Sequence, residues 1–162
     1  MARVYISIGS NIDRQANIRS ALAALRESFG QLTVSPVYES KAVGFAGDDF
    51  YNLAVGFDST LDPLAINHIL RDIEHHHGRV RGGSGWTSRT LDLDLLLYGD
   101  LISGSHGLTL PRGEITKYAF VLCPLAEIAG EERHPVSGMR YSDLWAAFDK
   151  AAQPLWRVDF AG

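Results

Sequence analysis

The chain is poor in cysteine and in positive charge, and it has no long apolar run. One cysteine among 162 residues, Cys123, cannot form an internal disulfide, so a reducing, cytoplasmic setting is expected. Cys123 lies inside FVLCPLAEIA and reads as a small buried hydrophobe rather than a nucleophile. Fifteen Lys and Arg against nineteen Asp and Glu leave a net charge of -4, which argues against a general nucleic-acid binder while leaving room for a local basic site. No run reaches the roughly 18 apolar residues that a membrane span needs. The opening MARVYISIGSN is too short and too polar for a signal peptide. A P-loop is excluded because GxxxxGK[ST] occurs nowhere. Repeats, long linkers and low-complexity tracts are missing as well. What remains is 46% hydrophobic and 21% charged, the profile of one globular domain over residues 1–162 with a real core.

Periodicity orders the elements. Val4 to Ile8 alternates as a strand and stops at Gly9-Ser10-Asn11. Asn17 to Phe29 has helical spacing, with Ile18, Leu22, Leu25 and Phe29 on one face and Gly30 as the stop. Leu32 to Tyr38 and Phe50 to Phe57 are two further strands. Asp62-Pro63 is an N-cap followed by a first-turn proline, opening a helix that ends by Gly78. Leu91 to Tyr98 is a strand, apolar on nearly every residue after Asp94 and so expected at the centre of the sheet. Helices over Phe120 to Ala129 and Tyr141 to Ala151 follow. The resulting fold class is α+β, ferredoxin-like β-α-β-β-α-β with a C-terminal helical extension. Helices should cover one face of the sheet, leaving the other to loops and the tail or to a ligand.

The chemistry concentrates in GRVRGGSGWTSRTLDLDLLLYG, residues 78–99. Strand alternation puts Asp92 and Asp94 on one side and Leu91, Leu93 and Leu95 on the other. Two like charges so close repel, and a divalent cation between them removes the conflict. Oxygen-only ligands suit Mg²⁺, which keeps waters and phosphate oxygens as its other ligands. The plainer alternative is a solvated strand end paired with the nearby arginines. Glu74, one turn beyond Leu70, is either a third acid of the same site or an ordinary acid near a helix end. Arg79, Arg81 and Arg89 bracket Gly82-Gly83-Ser84-Gly85, which combines bidentate phosphate grips with backbone freedom, and Trp86 could seal such a loop over a ligand. Mg²⁺, arginines and a closing loop together point to phosphoryl transfer. Consecutive His75, His76 and His77 point about 100 degrees apart on a helix and cannot share one ion, while His68, His106 and His134 show no ligand spacing. Phe50 and Asn52 share a strand face, an aromatic beside an amide, which suits a flat heterocycle as well as it suits core packing.

Together YISIGSN, FYNLAV, GRVR, W-x-x-RTLDLDLLLYG and FVLCPLAEIA resemble the 6-hydroxymethyl-7,8-dihydropterin pyrophosphokinase family over nearly the whole chain. The resemblance implies a ferredoxin-like fold and transfer of the pyrophosphoryl group of ATP to the hydroxymethyl oxygen of the pterin in folate biosynthesis, with AMP released. It implies two Mg²⁺ ions, held by Asp92 and Asp94. Catalysis falls to Arg81, Arg89, Asp92 and Asp94. Nucleotide binding falls to Glu74, Arg79, Trp86, Arg112 and Tyr118. Pterin binding falls to Ser40, Val43, Phe50, Asn52 and Phe120, with Phe50 and Phe120 sandwiching the ring and Asn52 reading its edge. The chain departs from the family pattern at Lys41, where proline is common, at Pro111-Arg112-Gly113, where a proline-histidine pair is usual, and at Tyr118, which stands at an arginine position.

The partners implied are small molecules, ATP and a reduced pterin, with no nucleic acid, no membrane and a monomeric chain. Two rival readings fit the departures. One is a non-catalytic ferredoxin-like module that senses a nucleotide or pterin, and the other is a pyrophosphokinase acting on a different heterocyclic alcohol.

Overall fold

The computed structural model describes residues 1–41, 49–78, 91–105 and 107–160. Its strands are β1 (Ala2–Ser10), β2 (Thr33–Val34), β3 (Val37–Ser40), β4 (Phe50–Ser59), β5 (Asp92–Tyr98) and β6 (Leu155–Val158). Its helices are α1 (Arg14–Phe29), α2 (Pro63–His76), α3 (Ala119–Ala129) and α4 (Tyr141–Ala146). The sheet runs β5-β1-β4-β3-β6, with β2 also on β4, and each of these pairings is antiparallel. This is a mixed α/β architecture on an antiparallel sheet.

Two cores lie on opposite faces of the sheet. The first packs Val4, Ile6, Ile8, Leu53, Val55 and Phe57 against Ile18, Leu22 and Leu25 of α1 and Ile66, Leu70 and Ile73 of α2. The second joins Tyr5, Ala54, Leu96 and Leu97 to Val121, Leu122 and Leu125 of α3 and to Tyr141. Helices therefore cover both faces, contrary to the expectation that they would lie on one.

The expected central strand, Leu91 to Tyr98, is at an edge: among the described residues β5 pairs with β1 alone. Its apolar run has another cause. Tyr5 stands opposite Leu97 and Ile6 opposite Leu95, so Leu96 is the extra residue of a β-bulge. The bulge sends Leu93 and Leu95 into the first core and both Leu96 and Leu97 into the second. A strand sandwiched between two cores is apolar throughout, wherever it sits in the sheet.

The other departures are local. α1 begins three residues before Asn17, whose side-chain amide instead donates to Ile12 O at 2.7 Å and fastens the preceding loop. The expected Leu32 to Tyr38 strand is split by Pro36, which has no N–H to give. Ser35 bridges the break, since its N–H donates to Ala54 O at 2.9 Å and its hydroxyl accepts from Ala54 N at 2.8 Å. Asp62 caps α2 as expected, its carboxylate accepting from Ala65 N at 2.8 Å. The tail helix ends at Ala146 rather than Ala151, and the chain returns as β6 on the outer edge of β3. The extension is thus helix plus strand. Glu39 of β3 anchors this return, taking the Arg14 guanidinium at 2.5 Å and the Trp156 indole N–H at 2.7 Å.

Candidate functional site

One end of the sheet collects the polar side chains that face the second core. Register sets them side by side: Gly9 of β1 lies opposite both Asn52 of β4 and Asp92 of β5, and Ser7 lies opposite Asp94. Asn52 in turn lies opposite Tyr38, and Phe50 opposite Ser40. Asn52 and Ser40 are buried, and the Asn52 amide donates to Ser40 Oγ at 3.0 Å. Gly9 makes room for this. A Cβ there would stand 2.9 Å from Asn52 Oδ1, a separation that side chains do not tolerate. The half-buried Phe50 ring borders the same place, 3.7 Å from that hypothetical Cβ.

Helix α3 packs over β3 and β4 and brings in Phe120, whose ring stacks on Tyr118 at 5.0 Å and 19°. The start of α3 is tied to the tail. Gln153 Oε1 accepts from Ala119 N at 2.9 Å, and its Nε2 donates to Lys117 O at 3.0 Å. A cavity of about 590 Å³ opens here, lined by Ser40, Lys41, Tyr118, Phe120, Leu155 and Trp156 among others. Its volume lies within the range of small-molecule sites. Gln153 and Trp156 carried no sequence signal, because β6 was not anticipated.

The acidic end is built around the side of β5 away from β1. Asp92 and Asp94 share the side opposite Leu93 and Leu95, as alternation requires, and the Asp94 side chain is 15% exposed. Glu74 is buried beneath the first core's rim. Its Oε2 accepts from Leu93 N at 2.6 Å and its Oε1 holds Arg71 Nη1 at 2.5 Å. Only an edge strand has an N–H available for such a cap. Arg71 also donates to Asn67 Oδ1 at 3.2 Å and passes around the edge to stand 3.5 Å from Asp94 Oδ1. Arg112 approaches the same oxygen to 3.6 Å, with its backbone N–H on Leu96 O at 3.0 Å and its Nε on Glu114. Arg71 joins the candidate site through Asp94 and was not among the residues expected from the sequence. Its signal was present as helical spacing, four residues after Asn67 and three before Glu74.

The described residues thus gather Ser40, Phe50, Asn52 and Phe120 toward one side of the sheet end and Glu74, Asp92, Asp94 and Arg112 toward the other. Tyr118 lies against Phe120. Val43, Arg79, Arg81, Trp86 and Arg89, with Gly82 to Gly85 and His106, lie outside the described residues. Among the described residues no group of three or more His, Cys, Asp or Glu could hold an ion. An ion on the aspartate pair alone would have to take its other oxygens from solvent or from a ligand's phosphates.

Residues 5–130 match the profile of the 7,8-dihydro-6-hydroxymethylpterin-pyrophosphokinase (HPPK) family. The chain belongs to that family. Relatives agree: it is 38% identical over 152 residues to the 2-amino-4-hydroxy-6-hydroxymethyldihydropteridine pyrophosphokinase of Pseudomonas aeruginosa, covering 90% of this chain and 91% of that one. The enzyme of the same name from Haemophilus influenzae is 36% identical, covering 81% of this chain and 84% of the relative. Among solved structures, an HPPK-DHPS in complex with substrates superposes with a TM-score of 0.73 at 12% identity, over 93% of this chain. The wild-type Plasmodium falciparum HPPK-DHPS superposes with a TM-score of 0.69 at 14% identity, over 90% of this chain. This chain spans 44% of each of those two longer chains, and the likeness to them is one of fold.

Proposed function

We propose that the chain transfers the pyrophosphoryl group of ATP to the hydroxymethyl oxygen of 6-hydroxymethyl-7,8-dihydropterin and releases AMP, a step of folate biosynthesis. The observation that carries this reading is the family match over residues 5–130, which spans both halves of the sheet-end site. We also read the kernel β5-β1-β4-β3 as the ferredoxin-like arrangement, with β2 and β3 as its interrupted second strand.

In this reading the pterin lies between Phe50 and Phe120, with Asn52 at its edge and Ser40 fixing the Asn52 amide. Val43 completes the pocket. Asp92 and Asp94 would hold Mg²⁺, which would supply neutralisation of the phosphoryl oxygens. Arg79, Arg81, Arg89 and Trp86, outside the described residues, bind the triphosphate, and Arg112 and Tyr118 contact the nucleotide. Glu74 acts through Arg71, since both its oxygens are engaged inside the protein. The hydroxymethyl oxygen attacks the β-phosphorus, the bond from that phosphorus to the α–β bridging oxygen breaks, and AMP departs. Asp94 orients the hydroxyl or accepts its proton. Positioning and charge compensation supply the rate, as is usual for phosphoryl transfer. We read residues 1–162 as a single pyrophosphokinase domain acting as a monomer in the cytoplasm.

The test is turnover with both substrates, with AMP formation dependent on the pterin. Nucleotide binding without AMP formation would favour the sensing module. AMP formation with other heterocyclic alcohols but not this pterin would favour the alternative substrate.

A further inference from the structure

Among the described residues, two guanidinium groups converge on a single oxygen. Arg71 Nη2 and Arg112 Nη2 stand 3.5 and 3.6 Å from Asp94 Oδ1, and they arrive from different elements. Neither is a loose surface side chain. Arg71 is held by Glu74 and Asn67, and Glu74 is itself fixed on the Leu93 amide. Arg112 is held at its backbone by Leu96 and at its Nε by Glu114.

This arrangement bears on how Asp94 can take a divalent cation. A cation on Asp94 and two guanidiniums at such separations compete for the same negative charge and repel one another. The guanidiniums must therefore move, or the carboxylate must turn, before the cation binds well. A bound polyphosphate favours both movements, because it is an acceptor that a planar guanidinium matches well. Glu74 and Glu114 keep the two arginines within reach of the site while this exchange takes place.

We propose that Arg71 and Arg112 form a charge lock on Asp94, which makes divalent-cation binding at the aspartate pair conditional on a bound nucleoside triphosphate. The proposal rests on the reading of Asp92 and Asp94 as metal ligands. Linkage makes the effect reciprocal: the triphosphate raises cation affinity by the factor by which the cation raises triphosphate affinity. The lock keeps free cations from occupying the site and favours their arrival together with the nucleotide.

Protein-bound Mn²⁺, measured by electron paramagnetic resonance with and without a non-hydrolysable ATP analogue, tests it. The proteins are the wild-type chain, Arg71→Gln, Arg112→Gln, Arg71→Lys and Asp94→Asn. Without the analogue, the two glutamine variants should bind Mn²⁺ about tenfold more tightly than wild type, within the usual size of coupling between linked sites. The enhancement produced by the analogue should shrink by the same factor, and Arg71→Lys, which keeps the charge, should stay near wild type. A damaged fold lowers affinity, so a gain cannot come from damage. Unchanged or weaker Mn²⁺ binding in both glutamine variants, with wild type still holding analogue-dependent Mn²⁺ that Asp94→Asn loses, overturns the lock and leaves the metal reading standing. Mn²⁺ binding that Asp94→Asn does not alter overturns both.

Discussion

Among the described residues, replacing Glu74 by alanine removes the acceptor for the Leu93 N–H and the anchor of Arg71. Leu93 is fully buried, and leaving its amide unsatisfied costs about 1–3 kcal/mol. The Arg71 side chain is 28% exposed and keeps Asn67 and Asp94 as neighbours, so its lost ion pair adds only about 0.5–1 kcal/mol. The expected destabilisation is about 1.5–4 kcal/mol, a fall in Tm on the order of 4–12 °C for a domain of this size. Glu74→Gln keeps a carbonyl for Leu93 and should cost about 1 kcal/mol. Urea denaturation followed by tryptophan fluorescence and by circular dichroism measures both, provided that the slope m is unchanged. Equal losses in the two variants, or a loss below about 0.5 kcal/mol in the alanine variant, would refute the edge-cap reasoning. In that case water would satisfy the Leu93 amide as well as Glu74 does.

Three further outcomes follow from the same geometry. Asp92→Asn and Asp94→Asn should each lower kcat on the order of a hundredfold or more at ordinary Mg²⁺, and rates near wild type in both would remove the metal assignment. Phe120→Ala should weaken pterin binding about tenfold or more in calorimetry through lost stacking while leaving affinity for an ATP analogue within about twofold. His134 is buried and its Nδ1 accepts from Val136 N at 3.2 Å and Ser137 N at 3.3 Å, and burial lowers its pKa from 6.5. The unfolded chain therefore binds the proton more readily, so this contribution to stability is complete above pH 6.5 and is lost as pH falls through the depressed native value. Denaturation midpoints across that window should show the loss, and His134→Asn, which keeps an acceptor but cannot titrate, should flatten it.

Much of the site was legible because it depends on strand periodicity. Alternation alone puts Asp92 and Asp94 on one side and Phe50 with Asn52 on another strand's matching side, and both pairings hold in the structure. The edge position of β5 was hidden because the bulge at Leu96 makes the strand apolar on both faces, the pattern of a central strand. Arg71 had a signal in its helical spacing to Asn67 and Glu74, but its reach to Asp94 had none, because that reach runs around the side of β5 away from β1. Gln153 and Trp156 were out of reach because β6 has four residues and no clear alternation. The break at Pro36 was visible in principle, because proline cannot give a ladder hydrogen bond.

The central claim is pyrophosphoryl transfer, and the fate of a label tests it most directly. ATP labelled at its β-phosphorus, incubated with the chain, Mg²⁺ and 6-hydroxymethyl-7,8-dihydropterin, should yield unlabelled AMP and an equal amount of labelled pterin diphosphate. Label recovered in ADP, or AMP formed without the pterin, would contradict the account.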